Sequence, residues 1–315
     1  MGCDSVDRAA AGVRRLARFG LGLSDMNISR IRVVWLSVAG LVAIGSMVPR
    51  VGGAGKAGAR VAIEISGKDF GASEADIQKV LASAAEQLLC HIPKRKLQPI
   101  LIRHVQPAPI TYYKKGPNGE YVVGLATKER FWCQYTYQFA HEMCHILSNY
   151  DRRGEPGANF WFEEALCETA SLFVLSQMKD AWETNPPYPH FKSFAPNFKE
   201  YLNDMLAKQD RRLPPDMTMP MWLRANAAVL SKERVATERS RMVAAYLLPL
   251  FLDEPRGWET LNWYNVDEKD REVDLRTFLG NWRRRVPERD KAFVGRIIWL
   301  CVGAEREATT QAVGR

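Results

Sequence analysis

The chain has 315 residues, 46% hydrophobic and 25% charged, with 9 Trp spread along it; that suffices for a sizeable core in one large domain or two smaller ones, and is too apolar for a disordered polypeptide. A net charge of +8 and a pI near 9.2 suit nucleic acid in principle. The basic residues, however, fall in scattered groups at 94–96, in "DRRG" and at 282–285, not in one stripe interleaved with aromatics, so no nucleic-acid partner is expected.

Residues 1–59 read as a basic lead, a hydrophobic segment at about 31–48 and a Gly/Ala linker. Arg14, Arg15, Arg18, Arg30 and Arg32 precede the uncharged run "VVWLSVAGLVAIGSMV". The run is short for a membrane span and long for a signal h-region, so a cleaved signal and a retained anchor both stand, with the anchor preferred; the Gly-rich tail and basic lead disfavour a buried core helix. Met26 offers an alternative start, and "AGA" at 57–59 a cleavage site. Arginines ahead of the run keep the amino terminus in the cytoplasm and send the body to the periplasm or cell exterior, membrane-anchored or secreted. Val6 stands where an N-myristoylation motif needs Ser or Thr, so that lipid is not expected.

The body at 60–302 divides into an α/β part at 60–130 and a helical part at 131–302, with a flexible tail at 303–315. "RVAIEIS" (60–66) alternates as a strand does. Residues 73–92 carry apolar positions at helical spacing behind a capping Ser73. "PILIRHV" (99–105) reads as a buried strand, and 112–127 as a hairpin around a Pro-Asn-Gly turn. Helices are predicted at 131–149, 161–179, 196–208, 220–231, 238–252, 273–285 and 290–302, with Pro and Gly between them. The expected class is α+β: a small mixed sheet and helix subdomain, then a mostly helical one, with chemistry where they meet.

Within the first of these helices, "HEMCH" places His141 and His145 four residues apart on one face, as two ligands of a tetrahedral metal require, with Glu142 between them as a candidate general base. Two polar core histidines are the plain alternative. Glu164 follows His145 by 19 positions, on the next helix. There it can complete a three-ligand set and leave the fourth position open. Glu168, one turn on, can take the free N–H of a ligand imidazole, assigned here to His141. An acidic first turn answering the helix dipole would explain Glu163, Glu164 and Glu168 as charges, but not their spacing.

"HEMCH", 18 residues, then Glu164 with a carboxylate four residues on, resembles the gluzincin zinc metallopeptidases, the clan of thermolysin-like and membrane alanyl aminopeptidase-like enzymes; "WFEEALC" (161–167) is similar to the W-L-N-E-G-F-A block of the aminopeptidase branch. The match covers some 30 residues. Weaker likeness extends to "EYVVGLAT", where such enzymes keep the edge strand that pairs with substrate, and to "DLRTFLGNWRRRVP". The resemblance implies one Zn2+ on two helices at the cleft between the subdomains, a peptide or protein substrate, and hydrolysis by a zinc-activated water with Glu142 as base. Glu163 and Ala165 depart from the usual Asn and Gly, and no Gly-Ala-Met-Glu-Asn block is present, so exopeptidase action is not implied. The residue that steadies the oxyanion in such enzymes has no clear match; Tyr246, His190 and Tyr188 are the candidates. A site that holds zinc structurally in a binding module without catalysis is the alternative.

Cys144 and Cys167 fall beside the histidine pair and Glu164. A disulfide between them is permitted in an exported body, two small buried thiols are the alternative, and neither spacing suits a zinc ligand.

Overall fold

The structure, a computed structural model, describes residues 60–152, 156–235 and 237–303. The predicted lead and hydrophobic segment, Met26, the 57–59 site and the tail beyond 303 lie outside them. Among the described residues, no helix is long and apolar enough to cross a membrane.

The fold is α+β, a small four-stranded mixed sheet followed by helices. The front part holds β1 (Ile63–Ser66), α1 (Glu74–Leu89), β2 (Ile100–His104), β3 (Ile110–Thr111) and β4 (Tyr121–Leu125). Their order is β1-β2-β4-β3, parallel from β1 through β4, with β3 antiparallel on the far side of β4. Ser73 accepts from the Asp76 amide and starts α1 as predicted. That helix buries Ile77, Val80, Leu81, Ala84 and Leu88 at helical spacing, which closes one face of the core.

The hairpin differs from its prediction. The turn is present, with Gly119 at φ +82°, a left-handed value that costs glycine nothing. The first arm, however, is only Ile110–Thr111, and "EYVVGLAT" does not form the edge: Tyr121–Leu125 is hydrogen-bonded on both sides. Every residue of β4 is buried, as a strand covered on both faces requires, and a sequence with no polar face satisfies that. The edge falls to β3, whose Ile110 is exposed.

The helical part contains α2 (Trp132–Leu147), α3 (Phe160–Thr184), α4 (Ala195–Ala207), α5 (Met219–Leu230), α6 (Glu238–Asp253), α7 (Leu275–Arg285) and α8 (Lys291–Val302). Each predicted helix is found within a few residues of its expected ends. A 3-10 helix at Pro255–Trp263 was not foreseen; its Trp258 stacks on Phe251 at 4.0 Å. Helices α2 and α3 run antiparallel, since rising positions on α3 (Glu163, Glu168, Ser171) meet falling positions on α2 (His145, His141, Tyr137).

The end of α2 is tightly fixed. Asn149 takes φ +58°, the Tyr150 amide reaches back to the His145 carbonyl and the Asn149 amide to Ile146, a Schellman termination. Arg95 adds a cation at this negative helix end, donating to the Ile146 carbonyl at 3.2 Å and to Asn149 Oδ1 at 2.8 Å. The Asn149 amide donates to the carbonyls of Leu261 and Tyr264. The helix that carries both histidines is thus held to the 255–264 segment one turn past His145.

Candidate metal centre

On α2 the positions 137, 141 and 145 share one face, and that face lines a cleft of about 510 Å³ with Gln138 and Glu142. The 108–111 stretch leading into the edge strand, Glu164 and Glu168 of α3, and Arg234, Val235 and Arg241 also line it. His141, Glu142, His145, Glu164 and Glu168 are all buried.

The two imidazoles face a single carboxylate. His141 Nε2 lies 3.1 Å from Glu164 Oε2, and His145 Nε2 lies 3.6 Å from Glu164 Oε1. Each ring's other nitrogen meets a carboxylate of its own: His141 Nδ1 is 3.7 Å from Glu168 Oε2, and His145 Nδ1 is 2.7 Å from Glu163 Oε1. The role expected for Glu168 towards His141 therefore has a geometric counterpart on His145, and Glu163 supplies it. Glu163 Oε2 accepts from Asn265 at 2.7 Å. Sequence reasoning noted Glu163 as a departure from Asn and as part of an acidic first turn, with no role towards His145; its position directly before Glu164 was the available signal.

Further residues that sequence reasoning missed surround this group. Glu168 Oε1 accepts from the Tyr137 hydroxyl and from Arg211 Nη2. Thr111 of β3 donates to Glu142 Oε2 at 2.8 Å. Tyr137 was legible as a same-face neighbour of His141, four residues before it. Arg211 and Thr111 carry no local sequence signal, because they arrive from other elements.

Burial disfavours charged imidazoles, yet the surrounding carboxylates outweigh it. Bonds to Glu164 and Glu168 hold His141 well above its usual pKa, and Glu164 with Glu163 raises His145. Burial likewise opposes the Glu168 carboxylate, but His141, Arg211 and Tyr137 bring its pKa down to about 2.

His141, His145 and Cys167 form a buried group that can hold a metal ion, with candidate ligand atoms all within 4.8 Å of one another. The inclusion of Cys167 runs against the spacing argument from sequence; it stands three residues after Glu164 on α3, close to the same face. Both Cys144 and Cys167 are buried free thiols, so the structure carries the two-thiol alternative and no disulfide between them. Burial, then contact with Cys144, drives the Cys167 pKa well above the usual thiol value.

None of the three oxyanion candidates lines the cleft. The Tyr246 hydroxyl accepts from the Leu213 amide, and Tyr188 stacks on His190 with their centroids 5.5 Å apart, beside Phe191. Donor-bearing side chains that line the cleft include Thr111, Tyr137, Gln138, Tyr150, Arg234 and Arg241.

No protein-family model, curated protein or solved structure matches the chain.

Proposed function

We propose that the chain is a zinc-dependent metallopeptidase of gluzincin type, with His141, His145 and Glu164 as zinc ligands and Glu142 as general base. The observation that carries this reading is the convergence of both Nε2 atoms on the two oxygens of Glu164, with Glu142 beside them in an open cleft. The donor set fits the ion. Ligand bonds of about 2.0–2.2 Å in a tetrahedron place neighbouring donors roughly 3.3–3.5 Å apart; His141 and His145 Nε2 stand 3.1 and 3.6 Å from Glu164, each on a different oxygen, so both rings are near that spacing from the one carboxylate. Glu163 and Glu168 take the Nδ1 side of the rings, which leaves the Nε2 atoms for the metal. Cys167, within ligand reach of both histidines, is the alternative third ligand and would bind as a thiolate.

When bound, zinc supplies Lewis acidity, acidifying water to a pKa of about 7 and polarising a carbonyl. Glu142 takes the proton of the attacking water and delivers it to the departing amine. Thr111 holds one of its oxygens, and Glu142 itself lines the cleft. The open edge of β3 offers backbone donors and acceptors to an extended peptide, which supports a peptide or protein substrate. The apolar run behind the basic lead supports an exported body, anchored or secreted.

A second reading, a binding module with a structural zinc site and no turnover, is favoured by the placement of Tyr246, His190 and Tyr188 outside the cleft. Zinc content and cleavage of an unfolded protein, native against Glu142→Gln, separate the two. Stoichiometric zinc with hydrolysis only in the native chain supports the peptidase; zinc without hydrolysis in either chain leaves the binding module.

A further inference from the structure

The Glu168 carboxylate divides its two oxygens between different tasks. Oε2 faces His141 Nδ1, while Oε1 accepts from Arg211 Nη2 and from the Tyr137 hydroxyl. Arg211 comes from the 3-10 segment Gln209–Arg211, 43 positions further along the chain. Its guanidinium is almost fully buried. Besides Glu168 it donates to the Tyr137 hydroxyl at 3.1 Å and to the Arg241 carbonyl at 3.4 Å. One planar fork therefore joins α3, α2 and α6 around a single carboxylate oxygen.

We propose that Arg211 is a positioning residue of the metal centre, one that fixes the His141 ring through Glu168 and so sets the affinity of the centre for its divalent ion. The inference rests on the reading of His141 as a ligand. A carboxylate this deeply buried needs a countercharge to persist as an anion. A single partner would leave it free to rotate, whereas Arg211 Nη2 and the Tyr137 hydroxyl together hold Oε1 while Oε2 faces the ring. An imidazole restrained in this way loses less orientational entropy on binding an ion, and the Glu168 carboxylate on its Nδ1 side, 3.7 Å away, favours the tautomer that turns the Nε2 lone pair to the ion. Arg211 does not line the cleft, so it acts on the ligand and not on a bound peptide.

The test uses the full chain, stripped of metal, titrated with zinc against a competing chelator and followed in parallel by thermal unfolding. Arg211→Gln is expected to weaken zinc binding by roughly 10–100-fold, the range typical of an outer partner of a ligand. Arg211→Lys, which keeps the charge and loses the fork, should weaken it less, as should Tyr137→Phe. In a Glu168→Gln background, Arg211→Gln should add little, because its route to the metal has already been removed. An ion pair that merely braces the fold would lower the melting temperature and leave zinc affinity unchanged. Folded Arg211→Gln protein with native zinc affinity overturns the proposal, as does full additivity in the double variant; if Arg211→Gln does not fold, native affinity in both Arg211→Lys and Tyr137→Phe overturns it equally. Zinc binding without peptide hydrolysis in the native chain would sink the peptidase and leave this inference standing. Native protein that takes up no divalent ion sinks both.

Discussion

Thr111 donates its hydroxyl to Glu142 Oε2 at 2.8 Å and lies 3.1 Å from the same residue's backbone carbonyl. A side chain from the edge strand thus meets the helix that carries both histidines at the one carboxylate between them. With one oxygen held, the other is left to serve as the base of the proposed reaction.

Replacing Glu142 with Gln preserves an oxygen for Thr111 and removes basicity. Zinc content should stay native while peptide turnover falls by about 10²–10⁴-fold. Metal analysis beside a cleavage assay checks this, and undiminished turnover would remove Glu142 from the role of base.

The third ligand separates cleanly by substitution. Glu164→Gln should cost more zinc affinity than the roughly 10–100-fold typical of an outer partner, whereas Cys167→Ala should keep stoichiometric zinc. The reverse result would transfer the ligand role to Cys167.

The pH response of the metal-free protein follows from two opposite shifts. His141 and His145 have folded pKa values above the ordinary 6.5, so their contribution to stability is complete below 6.5 and is lost as pH rises through the raised values. Glu168 falls from 4.5 to about 2; its contribution is complete above 4.5 and disappears as pH falls through 2. The cluster therefore stabilises the metal-free fold most between about pH 4.5 and 6.5. Zinc competes with protons for both rings, so its affinity should begin to fall at a pH above 6.5 as acid is added. Melting curves with chelator and with zinc test both statements; metal-free protein that grows more stable on passing upward through the histidine range would refute the first.

Asn149 holds the end of α2 through bonds to Leu261, Tyr264 and Arg95, in a left-handed conformation. Asn149→Ala removes its side-chain bonds to Leu261, Tyr264 and Arg95, at a cost of about 1–3 kcal/mol in lost buried hydrogen bonding, and adds roughly 1–2 kcal/mol for a Cβ without a local hydrogen bond at positive φ. Denaturant unfolding should show a loss of about 2–5 kcal/mol, and a loss below about 1 kcal/mol would contradict the anchoring role.

The positions of the helices and the pairing of His141 with His145 were legible because both depend on local geometry: Pro and Gly interrupt the backbone where they stand, and a four-residue spacing sets one face of a helix whatever surrounds it. Glu164 was legible through its separation from the histidines, since a short connection between antiparallel helices limits which residues can meet. Strand order was not. "EYVVGLAT" carries the composition of a strand but not the identity of its neighbours, so the edge fell to the two-residue β3 instead. Nor were Arg211 on Glu168, Thr111 on Glu142, Asn265 on Glu163, or the distance of Tyr246 from the cleft. Each of these depends on where separate elements come to rest against one another, and packing of the whole core decides that, so the spacing of His141, His145 and Glu164 was written in the chain while the orientation of their side chains belongs to the tertiary fold.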